Sequence, residues 1–174
     1  AAAEAEVQEA PAPMEVLSPE IIAELETWYD GQMPVADVLP RGDAKVLMIK
    51  FNDYQCPSCR QTWAHYRDII AKYEASHPGV FVFENRDFPL ESECGAGGFH
   101  GAACEAAAAV RMARERGRHK EVERAIFSRQ APDMTRDDVK EALEEAGQIS
   151  GEEFDERYAT MLEGVRADVQ LGRK

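Results

Sequence analysis

Cys56-Pro57-Ser58-Cys59 sets two thiols two residues apart, and the flanking segments decide what such a pair can do. Upstream, Lys45-Val46-Leu47-Met48-Ile49-Lys50-Phe51-Asn52 reads as a buried strand. Downstream, Pro57 to about Ser76 reads as a helix. A C-x-x-C pair where a strand turns into a helix is the layout of a dithiol–disulfide redox centre. The free N–H groups of a first helical turn, and the positive end of its dipole, favour negative charge. A thiol there ionises more readily, and the thiolate is the nucleophile of disulfide exchange. Cys56 falls at the N-cap, facing those donors; Cys59 lies one turn in, close enough to close a small ring with it. Pro57 takes a first-turn position that needs no N–H.

The competing chemistry is a zinc half-site, with Cys94 and Cys104 supplying the other ligands. Zinc knuckles usually hold their pair in a tight turn. Here an apolar strand feeds a long amphipathic helix, which favours redox chemistry over a metal. Cys94 and Cys104 then form a second pair with no cysteine left over. They read either as a structural disulfide joining a glycine-rich loop to an Ala-rich helix, or as a relay to Cys56 and Cys59. The staple is the simpler reading: closing a loop of ~10 residues contributes about 2–3 kcal/mol. His100, inside that loop, reads as an ordinary loop histidine.

Lys50 is a cation within an apolar strand. Its simplest reading is a stem laid along the sheet with the amine at the surface; the others are a thiolate-stabilising charge or a pair with Glu84 on the neighbouring strand. Trp63, Tyr66 and Ile70 read as core contacts of the helix that follows the cysteines. Phe51, Tyr54 and Phe88 read equally as an apolar rim for substrate or as packing.

The positioning elements are legible from punctuation. Residues 1–17, rich in Ala, Glu and Pro, read as a flexible arm or linker, leaving a domain over 18–174. Ser18-Pro19 opens a helix to about Tyr29, and 34–39 reads as a short edge strand. After His77-Pro78-Gly79, the run Val80-Phe81-Val82-Phe83 is a second strand, making a right-handed parallel strand–helix–strand unit. A loop over 86–101 follows. Helices are then expected from Ala102 to Arg116, His119 to Arg129, Thr135 to Gly147, and about Glu152 to Leu171, with Ser150-Gly151-Glu152-Glu153 as a capping box. The acidic runs of the last two helices read as a solvated face.

The 174 residues, 44% hydrophobic and 30% charged, fit a soluble globular protein. A net charge of −13 argues against nucleic acid or anionic membrane surfaces as partners. No apolar run approaches the ~20 residues of a membrane span. The N-terminus lacks the basic and apolar regions of a signal peptide and reads as a processed or truncated start. Paired cysteines without another metal motif point to an oxidising, extracytoplasmic compartment; a cytosolic reductase with two incidental cysteines is the alternative.

Three segments carry a family likeness: Phe51-Asn52-Asp53-Tyr54-Gln55-Cys56-Pro57-Ser58-Cys59-Arg60, Phe88-Pro89-Leu90-Glu91, and His100-Gly101-Ala102-Ala103-Cys104-Glu105-Ala106-Ala107. Together, over roughly residues 45–171, they resemble the DsbA-like branch of the thioredoxin superfamily. The nearest likeness is to the DsbA-like domains found beside, or fused to, bacterial homologues of vitamin K epoxide reductase. Those also carry a Cys near the Pro-Leu-Glu segment and another in the Ala-rich helix. The resemblance implies an α/β thioredoxin-like fold with a helical insertion at about 102–171. It implies disulfide exchange with protein substrates, with Cys56 the exposed nucleophile and Cys59 the buried resolving thiol. It calls for no metal and no organic cofactor. It also implies a periplasmic setting, soluble or tethered by an N-terminal segment, and a membrane quinone-linked oxidase of the vitamin K epoxide reductase type as a partner.

The chain departs from that pattern in three places. Ser58 stands where strongly oxidising members have His, which points to a less depressed thiol pKa and leaves the direction of electron flow open. Lys50 stands where the family often has a buried acid. The chain ends at Leu171-Gly172-Arg173-Lys174, where the family continues into a cis-proline loop, two strands and a helix; the expectation is a truncated chain lacking that strand–strand–helix. The readings from other classes are a thioredoxin-fold binding module without turnover and a zinc- or disulfide-stapled domain.

Overall fold

The computed structural model describes residues 18–31 and 44–173. The arm over 1–17 and the edge strand expected over 34–39 lie outside the described residues. The chain divides into two units, residues 1–40 and 41–174. In the first unit, helix α1 (Pro19–Asp30) begins where Ser18 and Pro19 place it. The Ser18 hydroxyl accepts from the Ile21 N–H at 3.4 Å, one of the donors a first turn leaves free.

In the second unit, strand β1 (Val46–Asn52), helix α2 (Pro57–Ser76) and strand β2 (Phe81–Asp87) follow in that order. The strands pair in parallel, from Val46 opposite Phe81 to Asn52 opposite Asp87, with Lys50 opposite Asn85. β2 runs past the apolar stretch that announces it because its polar end is partnered: Arg86 meets Glu84 and Asp168, and Asp87 meets Arg111.

Two burial expectations are corrected here. β1 is not a buried strand: Val46 and Met48 are exposed, and Asn52 alone is fully buried. α2 has no fully buried residue; Tyr66, Ile69 and Tyr73 are exposed, and Trp63 and Ile70 half-buried. Apolar faces become core only when a second layer covers them. Among the described residues the sheet has two strands, too narrow to bury both its own faces and one side of α2.

The core lies in the helical layer instead. Helix α3 (Ala103–Glu115) is buried continuously from Ala103 to Val110, and α4 (His119–Arg129), α5 (Arg136–Ala142) and α6 (Gly151–Leu171) pack around it. Alanines make this possible, since a helix without large side chains admits close neighbours on every side. Met112, Ile126, Phe127, Leu143, Phe154 and Val165 fill the space between. α5 opens on the capping box of Thr135 and Asp138 and continues through a π-helical turn, Leu143–Gly147. A Cβ on Gly147 would sit 2.9 Å from Leu143 and 3.0 Å from Val122, so a larger residue there would have to displace those side chains. At α6, Ser150 accepts from the Glu153 N–H at 3.2 Å. The Glu153 carboxylate, which a capping box would turn back on Ser150, binds Arg116 and Arg157.

An ionic joint ties β2 to the helical layer. Asp87 and Asp168 are both buried. Arg111 Nε donates to Asp87 Oδ2 at 2.5 Å, and its Nη2 reaches Asp168 Oδ2. Asp168 also accepts the Asp87 N–H at 3.1 Å and Arg86 Nη1 at 3.3 Å. Gly164 makes room for the guanidinium: a Cβ there would lie 2.6 Å from Arg111 Nη1. No helix among the described residues is long and apolar enough to cross a membrane.

Candidate redox site

The peptide between β1 and α2 is held from three directions. Tyr54 is fully buried, with its ring 5.4 Å from that of Phe127; of its two readings, packing is the outcome. Asp53, also buried, accepts the Gln55 N–H at 2.7 Å and the Leu90 N–H at 2.6 Å, and meets His100 Nδ1 at 2.8 Å. His100 is thus a loop histidine fastened to a buried acid. Gln55 Oε1 accepts the N–H groups of Gly101 and Ala102, while its Nε2 donates to the carbonyls of Ala131 and Pro132. Gln130, just past α4, donates to the carbonyls of Tyr54 at 2.8 Å and Cys56 at 3.0 Å.

Cys56 is the N-cap of α2, extended at φ −80° and ψ 121°, with Pro57 at the first helical position. Its side chain is half-buried, and its Sγ lies 3.0 Å from Ser58 Oγ. Burial works against its thiolate. The Ser58 hydroxyl, the Cys59 N–H, the Cys59 thiol and the Ser58 N–H outweigh that, and the Cys56 thiol falls below its ordinary pKa. Cys59 moves the other way. Burial pushes its thiol up, as does the neighbouring Cys56, and these prevail over the Asp53 backbone and the Lys50 charge. Two thiols two residues apart are therefore set in opposite directions. Cys59 is half-buried rather than sealed: α2 lies against a two-stranded ribbon that cannot enclose its first turn.

Lys50 Nζ donates to the Cys59 carbonyl at 3.3 Å, so its amine turns toward the cysteine turn instead of resting at the surface. It does not pair with Glu84, whose carboxylate is taken by Arg86 at 2.6 Å. Burial lowers the Lys50 pKa, against the opposing pull of Cys59, Glu123 and Cys56.

Glu123 was not singled out by the sequence reading. Its carboxylate accepts Trp63 Nε1 at 2.9 Å and Asn85 Nδ2 at 3.1 Å. Burial raises its pKa, while Lys50 and the Trp63 N–H pull it down. A signal was present: Glu123, Ile126, Phe127 and Gln130 recur at i, i+3, i+4 and i+7, which puts an acid and an amide on the apolar face of α4. Gln55 carried no comparable signal, because its partners lie 46 and 76 residues away or farther.

Cys94 and Cys104 form a disulfide across 6.0 Å between Cα atoms, both buried, joining the Gly-rich loop to α3. Phe51 and Phe88 meet edge to face at 6.1 Å, with Phe51 exposed.

The arrangement presents a partly exposed thiol, favoured as its anion at a helix start, with a second thiol one turn behind it. A thioredoxin family model matches residues 41–170, and neither a curated protein nor a solved structure matches the chain. The matched span runs from the start of the second unit to the penultimate residue of α6. It holds the parallel strand–helix–strand, the cysteine turn and the helical layer, which is the α/β thioredoxin-like architecture that the resemblance implied. On that match, the chain belongs to the thioredoxin family.

Proposed function

We propose that the protein is a DsbA-like thiol–disulfide oxidoreductase that exchanges disulfides with protein substrates through Cys56 and Cys59. The observation that carries this reading is the half-exposed Cys56 thiol at the N-cap of α2, lowered in pKa while Cys59 is raised. In the reducing direction, the Cys56 thiolate attacks one sulfur of a substrate disulfide. The substrate S–S bond breaks, its second sulfur leaves as a thiolate that takes a proton, and a mixed disulfide joins substrate to Cys56. Cys59 then loses its proton and attacks Cys56 Sγ, which frees the substrate's other thiol and leaves a Cys56–Cys59 disulfide. Oxidation of a substrate dithiol is the same sequence reversed.

Each neighbour has a part. Ser58 stabilises the attacking anion by donating its hydroxyl, Pro57 starts the helix without occupying a donor, and Lys50 brings positive charge beside Cys59. The buried Cys94–Cys104 bridge supports an oxidising, extracytoplasmic setting. There, reoxidation of the reduced pair falls to a quinone-linked membrane oxidase of the vitamin K epoxide reductase type, a partner that the segment likeness supports.

Replacing Cys59 by Ser tests the scheme, because it removes the group that resolves the mixed disulfide. The variant is expected to accumulate substrate adducts, seen as high-mass bands on non-reducing gels and discharged by a dithiol. The Cys56→Ser/Cys59→Ser chain should form none. If the single variant stays adduct-free, the proposal fails. Ser58→Ala is expected to slow alkylation of Cys56 near neutral pH by about threefold to tenfold, the worth of one hydrogen bond; a rate equal to the parent's would remove Ser58 from the site.

A further inference from the structure

We propose that the Cys94/Cys104 pocket, once its disulfide is reduced, takes up a thiophilic divalent cation such as Zn2+, held by both thiolates and by the carboxylates of Glu91 and Glu93. A carboxylate oxygen of Glu91, one of Glu93 and Cys104 Sγ all lie within 4.8 Å of one another. Cys94, bonded to Cys104, brings a second sulfur to the same point. Cys56 and Cys59 take no part, which separates this pocket from a site built of all four cysteines.

A further observation points to a cation. Glu105, the residue after Cys104, is buried, and its Oε2 has no hydrogen-bond partner among the described residues. Glu91 accepts the Cys104 N–H at 2.9 Å. The Tyr158 hydroxyl donates to the Glu93 carboxylate at 2.9 Å. The neutralising charge is sparse. Arg136 reaches Glu105 at 3.4 Å but also serves Asp155 and stacks on Phe154 and Tyr158. Arg166 donates to the Glu93 main-chain carbonyl and not to its carboxylate. Glu91 and Glu93 thus stand at the disulfide, with no ion pair to either carboxylate among the described residues. Glu93 is exposed, while Glu91, Cys94 and Cys104 are buried.

The redox gate follows from sulfur chemistry. A disulfide sulfur has no anionic lone pair to offer and is a poor ligand; a thiolate is a strong one for zinc. A dithiol reductant gives two electrons and two protons to the Cys94–Cys104 bond, which breaks into two thiols as the reductant closes to its own disulfide. The cation then displaces the two thiol protons. Tetrahedral zinc needs ligand atoms about 3.5 Å apart. With the S–S bond open, side-chain rotation reaches that spacing while the Cα atoms stay near their present 6.0 Å separation.

The test uses the full chain with Cys56→Ser/Cys59→Ser, so that no other thiol binds metal. Reduced with a phosphine and titrated with Co2+, it is expected to take one equivalent with a thiolate-to-metal charge-transfer band that Zn2+ abolishes by displacement. The same chain with the disulfide intact should give no band. Glu93→Gln keeps an acceptor for Tyr158 and is expected to weaken binding by at least about tenfold, the loss that even a second-sphere partner causes. Glu91→Gln keeps an acceptor for the Cys104 N–H and should do the same, with near-ultraviolet circular dichroism confirming that both variants are folded. No band in the reduced chain, equal binding by the oxidised chain, or parent-like affinity in both folded Gln variants would each overturn the proposal.

Discussion

A chain carrying Cys56→Ser is expected to lose both reduction of insulin-type disulfides and oxidation of dithiol peptides, falling to the rate of the small-molecule redox buffer alone. Serine keeps the size and polarity of the side chain and can still cap α2, so the fold should survive. What it removes is the sulfur. An alcohol at this helix start stays protonated at neutral pH, and disulfide exchange runs through a thiolate and a sulfur–sulfur intermediate. Cys59 is a poor substitute, because burial and the proximity of Cys56 push its thiol up, and it lies one turn from the exposed end of the helix. The measurement is turnover at equal protein concentration, with thermal unfolding to show that the variant is folded. Turnover at the parent rate would remove Cys56 from the mechanism.

Arg111→Ala is expected to destabilise the fold by about 3–5 kcal/mol, the cost of stranding buried charge when one member of an ionic cluster is deleted. For a domain of this size that lowers Tm by roughly 10–20 °C. Arg111 faces two buried carboxylates, and Asp87 Oδ1 has no hydrogen-bond partner among the described residues even with the arginine in place. Burial already pushes Asp87 from 3.8 up to about 6, against the pull of Arg111. A carboxyl raised in this way binds a proton in the folded chain that the unfolded chain releases. Its contribution to stability is therefore complete below about 3.8 and is lost as pH rises through about 6. Removing Arg111 raises Asp87 further, so the penalty should be larger at pH 8 than at pH 5, where the stranded acid can take up a proton. Thermal unfolding of parent and variant at both values checks this. A penalty below 1 kcal/mol, or one independent of pH, would show that the cluster is not what joins β2 to the helical layer.

Much of the chain was legible without coordinates. Ser18-Pro19, Pro57, Thr135 and Ser150 mark helix starts at or within a residue of where α1, α2, α5 and α6 begin. Gly31, Gly117 and the His77-Pro78-Gly79 turn mark stops. These signals work because capping, proline geometry and glycine freedom act within a turn of the residue concerned. The N-cap position of Cys56 follows from the same local rules; its contact with Ser58 comes from the structure. The Cys94–Cys104 bond belongs to both the staple and the relay readings of the even cysteine count, and not to the zinc reading; the structure has the bond.

Burial was not legible in the same way. Val46, Met48, Tyr66 and Ile69 have the residue types and spacing of a core and are exposed. Glu91, Glu105 and Asp168 have the types of a surface and are buried. Residue type states what a side chain would gain from being covered, not whether another layer arrives to cover it. From the helical layer Glu123 reaches Trp63 of α2 and Gln130 reaches the Cys56 carbonyl, and the same layer holds Gln55; no local rule connects positions so far apart in the chain.

By itself the sequence determined where most helices begin and stop, which cysteine takes the N-cap position of α2, and the α/β order of the elements, since each depends on neighbours within a turn or on alternation along a strand. The tertiary structure alone decided which acids stand beside which cations, how deep each thiol sits, and so in which direction each pKa moves. Those quantities depend on solvent removed by, and charge brought from, residues far away along the chain.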